Sequence, residues 1–530
     1  MNKLSIYAKF VILLIIAAVV RLVMVGRVPL GGDEAYYWIW SKHLSWGYYD
    51  HPPMISFIMR LFEGIGGNST LTIRLASVVM AAIASLVTYK LALAVSRSER
   101  AAFLAGLMTI ACPLISLKAL EISPDSTVVA LSIAYIYVLY LAIFENRSWA
   151  WALSGIVLGL ALLTKLTALL LPVSLLIYLL IDRKHRFLMA RPWPYISVLI
   201  GALVFSPFLV WCAHNDWITF RFHFVMRVSS EAYAVKNRLP QFLGEQTALI
   251  SPFLFVLSLI SLVTVLIRKD ENRGKYLFLG AFGALPILAF ALVSLRSEVF
   301  PHWTMAGYPP LFILSAIAFV GWEDSRNRFK AGFVKFSIGF GIALCCLAYF
   351  ALVSPGVQAY FVKAGVVNEI YSYESLTQKI HQAVDGKPNM FVLTDSYARS
   401  ASLTYYTKRP AFLIARTQIM GMEFLRWQDF NLLLGRDALY IDNQTRYDRH
   451  DIQEYLTASF ASLDNEQVWN IYLTRPDGKT YLAHRFFVTV CRNLRKSDFY
   501  DEKDWRLLRS LHSPDSPFFI HAGLVQPKWR

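Results

Sequence analysis

Long apolar runs recur along this 530-residue chain from its first residues to about position 353, with short clusters rich in Lys and Arg between them. A helix needs about 20 apolar residues to cross the hydrocarbon core of a bilayer. Such a repeat therefore reads as a polytopic α-helical membrane protein. The bulk numbers agree: 56% of residues are hydrophobic and only 17% charged, with a mean hydropathy of +0.44. The first run, MNKLSIYAKFVILLIIAAVVRLVMVG, lacks a small-residue cleavage site and contains Arg21, so it reads as a retained helix and not as a signal peptide. Spans are predicted near 8–28, 70–95, 101–117, 125–144, 150–164, 167–181, 195–212, 249–267, 277–294, 302–320 and 332–353, about 11 in all.

The clusters SRSER (96–100), DRKHR (182–186), RKDENRGK (268–275) and DSRNRFK (324–330) are assigned to the cytoplasm by the positive-inside rule. The N-terminus is then inside and the tail outside. The formal charge of +16 is a record of topology, and no nucleic-acid partner is expected. Residues 150–181 are apolar apart from TKLT. One long tilted helix fits that length, but it would invert every later loop. Two short helices folded back around Lys165 keep the basic loops on one side.

Beyond about residue 355 the composition becomes that of a soluble domain. MFVLTD (390–395) and DALYID read as strands, and SYARSASLTYYTKR as a helix with a Ser or Asp cap. NIYLTRPDGKTYLAHRFFVTV reads as two strands joined through Asp477-Gly478. The expected organisation is a transmembrane domain over 1–354, including an outer loop at 29–69, and a soluble α/β domain over 355–530. The five cysteines give no disulfide or metal framework.

Polar residues at membrane depth default to a functional reading. Asp33 lies at the outer end of the first helix, four residues before Tyr37, and Glu34 follows it. Both acids also suit a helix start after Gly31-Gly32. In Asp50-His51-Pro52-Pro53 the prolines fix the direction of His51, and the preceding acid suits an imidazolium that holds phosphate. Glu121 and Asp125 in EISPDST read equally as helix-capping and as functional acids. Lys165, inside LGLALLTKLTALLLP, must snorkel, pair or face a polar cavity. The aromatic-rich segment WIWSKHLSWGYY suits the headgroup level. The second outer loop, 213–248, carries Arg221, His223, Arg227, Lys236 and Arg238. These read equally as headgroup contacts and as an attractor for an anionic acceptor or donor.

DEAYY after the first helix, YYDHPPM, SPDST, LLTKLTALL and RSEVFPHW with its following YPP occur in this order over roughly residues 1–350. In this the chain resembles the bacterial GT-C glycosyltransferases of the protein-mannosyltransferase and lipid A aminoarabinose-transferase type. The resemblance implies inverting transfer of a single sugar from a polyprenyl-phosphate donor to an envelope acceptor on the periplasmic face of the bacterial inner membrane. The acceptor would be lipid A, lipopolysaccharide core or protein, the first two favoured. Asp33 would be the general base beside Glu34, with Asp125 as a further catalytic acid. His51, Lys165, Arg296 and His302 would bind the donor phosphate, and Tyr37, Asp50, Arg221 and Arg227 would lie along the substrate loop. His51 stands where the aminoarabinose transferases carry lysine, so its charge near neutral pH is partial, with Lys165 to compensate. No cofactor is required. Asp50, Glu34 and His51 are of metal-ligating type, but no DxD, HxxxH or Cys/His framework supports a divalent ion. The competing readings are a transporter or flippase of lipid-linked sugar, and a membrane-anchored binding protein.

Overall fold

The computed structural model describes residues 4–226, 238–324, 326–363, 369–415, 420–445, 447–474 and 477–496. They divide into two compact units. One comprises Met1–Arg27, His51–Leu209 and Arg227–Phe350; the other comprises Val28–Asp50, Val210–Met226 and Ala351–Arg530.

The first unit is helical, and the eleven apolar stretches fall in helical segments, with 101–117 divided at Cys112 between Glu99–Ala111 and Pro113–Lys118. Seven helices among the described residues are long and apolar enough to cross a membrane: Ile6–Val25, Thr70–Ser96, Pro124–Phe144, Trp193–His214, Arg273–Val293, Pro301–Asp324 and Arg328–Val353. An eighth span arises if Leu239–Ile250 and Pro252–Leu266, bent by 104° at Ser251, count as one. Two further apolar helices, Ser148–Thr164 and Leu166–Ile181, are shorter. The chain is thus a multi-pass membrane protein. Lys165 separates that last pair in extended conformation, φ −158° and ψ 137°. Two other buried cations of the unit make hydrogen bonds to neutral acceptors. Arg21 donates to Ser116 Oγ at 3.1 Å, and Arg74 to the carbonyl of Val25 at 3.2 Å.

Gly155 and Gly159 lie one turn apart on Ser148–Thr164. A Cβ on either would come within 2.4 Å of the facing helix, at the carbonyl oxygen of Ser197 or at Val204 Cβ. Small residues at this spacing let two membrane helices approach closely. The approach brings Ser154 Oγ and Ser197 Oγ to 2.7 Å.

The second unit holds a six-stranded sheet. Its strands are β1 (Met390–Thr394), β2 (Ala411–Leu413), β3 (Asp437–Asp442), β4 (Phe460–Leu463), β5 (Gln467–Thr474) and β6 (Thr480–Leu494). The order is β2-β1-β3-β6-β4, with β5 also paired to β6. β1 is parallel to β2 and β3, and β6 is antiparallel to β3, β4 and β5. Side chains of β1 alternate between two cores, as strand geometry dictates. Phe391 and Leu393 join Ile452, Tyr455 and Leu456 of the helix His450–Ser459. Val392 joins Leu376 and Ile380 of Tyr373–Val384 and Leu403 of Tyr397–Thr407. The β5–β6 turn holds Gly478 at φ +79°, the left-handed geometry that an Asp-Gly pair favours. Ser396 caps Tyr397–Thr407 by accepting from Arg399 N–H.

At the carboxyl ends of β1 and β3, the buried Arg399 guanidinium contacts Glu369 at 2.7 Å, Asp442 at 3.2 Å and Asp395 at 3.4 Å. Burial raises the Glu369 pKa, but the charge and hydrogen bonds of Arg399 outweigh it, and the net value lies below the usual 4.5. Glu369 therefore contributes stability that is fully present above its unfolded-chain pKa and lost as pH falls through the lower folded value. Replacing Glu369 by Gln should flatten the acid loss of hydrogen-exchange protection in β1 and β3 below about pH 4.3. An identical acid response in both proteins would remove Glu369 from this role.

The segment Val28–Asp50 also belongs to this unit. Its helix Gly32–Lys42 lies on Tyr397–Thr407 so closely that a Cβ on Gly32 would sit 2.5 Å from Ala398 Cβ. Trp38 meets Tyr405 edge-on at 5.0 Å, Leu30 N–H donates to Tyr406 Oη at 2.8 Å, and Tyr49 N–H to Glu423 at 2.6 Å. Trp38 and Trp40, expected at the headgroup level, are instead fully buried inside this unit, while Trp46 remains half-exposed. Trp38 packs on the neighbouring helix, while Trp40 stacks on Tyr48 with ring centroids 4.1 Å apart.

Candidate active site

In the membrane unit the site grows from two interruptions of helical structure. Pro124 opens the helix Pro124–Phe144, where proline's missing N–H costs nothing, and Asp125 follows in its first turn. At the end of Ser148–Thr164 the backbone leaves the helix at Lys165. Lys165 Nζ meets Asp125 Oδ1 at 2.5 Å, and the two side chains are 7% exposed. The other carboxylate oxygen, Oδ2, lies 3.6 Å from His302 Nε2, and the Trp303 ring lies 6.0 Å from the ammonium. Three of the sequence-predicted residues, Asp125, Lys165 and His302, are thus brought together. A charged pair in so dry a setting is sustained by mutual attraction and hydrogen bonding.

The turn Pro301–Gly307 that carries His302 is held by a residue the sequence did not point to. Gln246 accepts from Thr304 Oγ1 at 2.7 Å and from Tyr308 Oη at 2.6 Å, and donates to the Pro301 carbonyl at 3.1 Å. Nothing local distinguishes Gln246 from an ordinary loop glutamine; only the 58-residue jump to Thr304 gives it meaning. Lys118 pairs with Glu121 at 2.9 Å. Arg296 is exposed, while the neighbouring Glu298 pairs with Arg238 at 3.4 Å. His51 is half-buried just ahead of the helix Met54–Gly66.

In the second unit, Asp33 is an exposed residue in the first turn of Gly32–Lys42. Its Oδ1 accepts a 2.8 Å hydrogen bond from Tyr397 Oη. Glu34 is buried, and its Oε2 reaches back to accept from the N-cap Gly31 N–H at 2.9 Å. The two adjacent acids therefore part in environment: one points to solvent and one braces the helix start. Tyr37 is buried against Trp40, with ring centroids 5.0 Å apart. Asp50 is buried, and its carbonyl accepts from His223 Nε2 at 2.7 Å. A carbonyl can only accept, so that nitrogen carries the proton. Arg221 is exposed, and Arg227 lies outside the described residues. Among the described residues no group of three or more His, Cys, Asp or Glu side chains is arranged to hold a metal ion.

The membrane unit thus offers a buried ammonium–carboxylate pair beside a partly exposed imidazole, and the second unit separately offers an exposed carboxylate that accepts from a tyrosine hydroxyl. Parts of the chain are similar in sequence, and the whole in fold, to known proteins. Residues 50–211 match the dolichyl-phosphate-mannose-protein mannosyltransferase family model. A lipid A galacturonosyltransferase of Rhizobium johnstonii is 28% identical over 294 residues, 55% of this chain and 61% of that protein. An undecaprenyl phosphate-α-4-amino-4-deoxy-L-arabinose arabinosyl transferase of Pseudomonas paraeruginosa is 27% identical over 349 residues, 62% of this chain and 60% of that protein. The chain spans about three-fifths of the length of these relatives.

Among solved structures, ArnT from Cupriavidus metallidurans in the apo state aligns over 92% of this chain and 98% of its own, with a TM-score of 0.65 at 15% identity. The same protein bound to undecaprenyl phosphate gives 0.61 at 17%, over 93% of this chain and 99% of its own. At these identities the likeness is one of fold. The chain thus has the fold of ArnT, the GT-C fold, and over part of its length it is similar in sequence to these sugar transferases.

Proposed function

We propose that this protein transfers a single sugar, with inversion, from a polyprenyl-phosphate donor to an envelope acceptor at the periplasmic face of the bacterial inner membrane. The observation that carries the reading is the buried Lys165–Asp125 pair with His302 beside it. A dry cation at a break in a membrane helix suits a phosphate leaving group, whose charge develops as the glycosidic bond breaks. In the same reaction Asp33 takes the proton of the acceptor hydroxyl, whose oxygen attacks the anomeric carbon, and the phosphate departs with the bonding electrons. One base and phosphate-binding cations are sufficient for this displacement, without the carboxylate pair of a glycosidase. His51 and Arg296 are assigned to the donor phosphate, and Tyr37, Asp50, Arg221 and Arg227 to the substrate loop. Glu34 supports the Asp33 helix. Lipid A or lipopolysaccharide core is the favoured acceptor, because the Rhizobium relative is named for lipid A.

The experiment is mass spectrometry of envelope lipids and glycoproteins from cells carrying the wild-type protein, an Asp33→Asn variant, or neither. A sugar-sized mass present only with wild type is expected, and it identifies sugar and acceptor together. No difference among the three would reject transfer. Turnover by purified protein in detergent, where no second compartment exists, separates transfer from a flippase activity.

A further inference from the structure

The geometry points to Tyr397 as a positioning residue for Asp33, so that the C-terminal α/β domain aims the base; this rests on the reading of Asp33 given above. An exposed aspartate has two free side-chain torsions, and a general base works only within hydrogen-bond reach of the proton it removes. The Tyr397 hydroxyl donates to Asp33 Oδ1 at 2.8 Å across 364 residues of sequence, which fixes one carboxylate oxygen and with it the plane of the group. The donor is itself held on several sides. The Tyr36 ring meets it edge-on at 5.3 Å and stacks on Phe424 at 5.6 Å. Gly421, at φ +81°, passes so near that an added Cβ would lie 2.1 Å from Tyr397 Cβ.

One helical position further along, Ala398 is the residue on which Gly32 closes. Two positions along, Arg399 ties the same helical turn to Glu369, Asp395 and Asp442. The turn bearing the hydroxyl and the turn bearing the carboxylate are therefore both anchored, in one compact unit. Gly421 leaves room for Tyr397 itself, and Gly32 lets the helix that bears the acid close on the adjacent Ala398. Residues whose own rotamers are locked by packing are what hold a reacting group to sub-ångström tolerance.

The test uses the full chain in detergent, assayed with the sugar and acceptor that the envelope mass difference identifies. Tyr397→Phe should lower kcat by about 10- to 100-fold, the scale of a misplacement near 1 Å. KM for donor and acceptor should stay within about twofold, because a positioning contact acts on the reacting geometry and not on uniform binding. The melting temperature should be unchanged. Incorporation of 3-fluorotyrosine at 397, which keeps the hydroxyl, should restore most of the turnover. Wild-type kcat in Tyr397→Phe alongside an inactive Asp33→Asn would overturn the inference and leave Asp33 as base. A loss that 3-fluorotyrosine fails to restore would also overturn it, since restoring the hydroxyl would then not restore the base. Full turnover in Asp33→Asn would remove the base assignment itself and the inference with it.

Discussion

Asp33→Asn is expected to lower the rate of sugar transfer by roughly 10²- to 10⁴-fold, the usual contribution of a general base. The substitution removes the proton acceptor while changing little else. Asn keeps the carboxamide oxygen to receive the Tyr397 hydroxyl, keeps the side-chain volume, and sits at an exposed position. The neighbouring acid that closes the helix cap is Glu34, which is untouched. Loss of rate should therefore come with a melting temperature close to wild type. Purified variants compared under saturating donor give the answer directly, and turnover within tenfold of wild type would transfer the base role elsewhere.

The second large effect concerns stability as much as rate. Lys165→Ala leaves the Asp125 carboxylate buried without its ammonium, and breaking such a pair from one side costs about 3–5 kcal/mol. His302 at 3.6 Å lies beyond good hydrogen-bond distance and cannot take over. Asp125→Ala should be similarly harmful, since it strands Lys165. The informative protein is the double variant Lys165→Met with Asp125→Leu. Apolar replacement of both members of a buried pair is often neutral or stabilising, so the melting temperature should recover while transfer stays absent. Recovery of activity along with stability would mean that the pair only holds helices together. Thermal melts and transfer assays on the three proteins separate these outcomes.

Different parts of this molecule were legible in the sequence to different degrees, and the reasons are physical. Membrane helices announce themselves because the bilayer demands a long apolar run, and all eleven predicted stretches fall in helical segments. Seven of them reach spanning length unaided. The break at Lys165 was legible because a lone charge between leucines has few tolerable environments, and the structure satisfies it with Asp125. Strands β1 and β3 and the hairpin around Gly478 followed from local alternation and turn chemistry. By contrast β2 has three residues and β4 four, too few for a period to register. Gln246 and Tyr397 carry no local mark at all. Each acquires a role only through partners 58 and 364 residues distant, and a single sequence holds no record of which distant residues will meet. The aromatic cluster around Trp38 and Trp40 was legible as amphipathic material, but the same composition serves a headgroup belt and a protein interior equally well.

The 364-residue separation between Asp33 and Tyr397 also has a meaning in time. A chain synthesised at 5–20 residues per second delivers Asp33 roughly 20–70 s before the hydroxyl that receives it. During that interval the helix Gly32–Lys42 is already made, yet the surface it packs on does not exist. A ribosome that stops before β1 releases a chain that has the apolar helices from Ile6–Val25 to Arg328–Val353 but lacks the Tyr397 hydroxyl that donates to Asp33. The order of synthesis thus acts as a check on Asp33: the contact that orients it forms only after the helices that precede Tyr397 have been made.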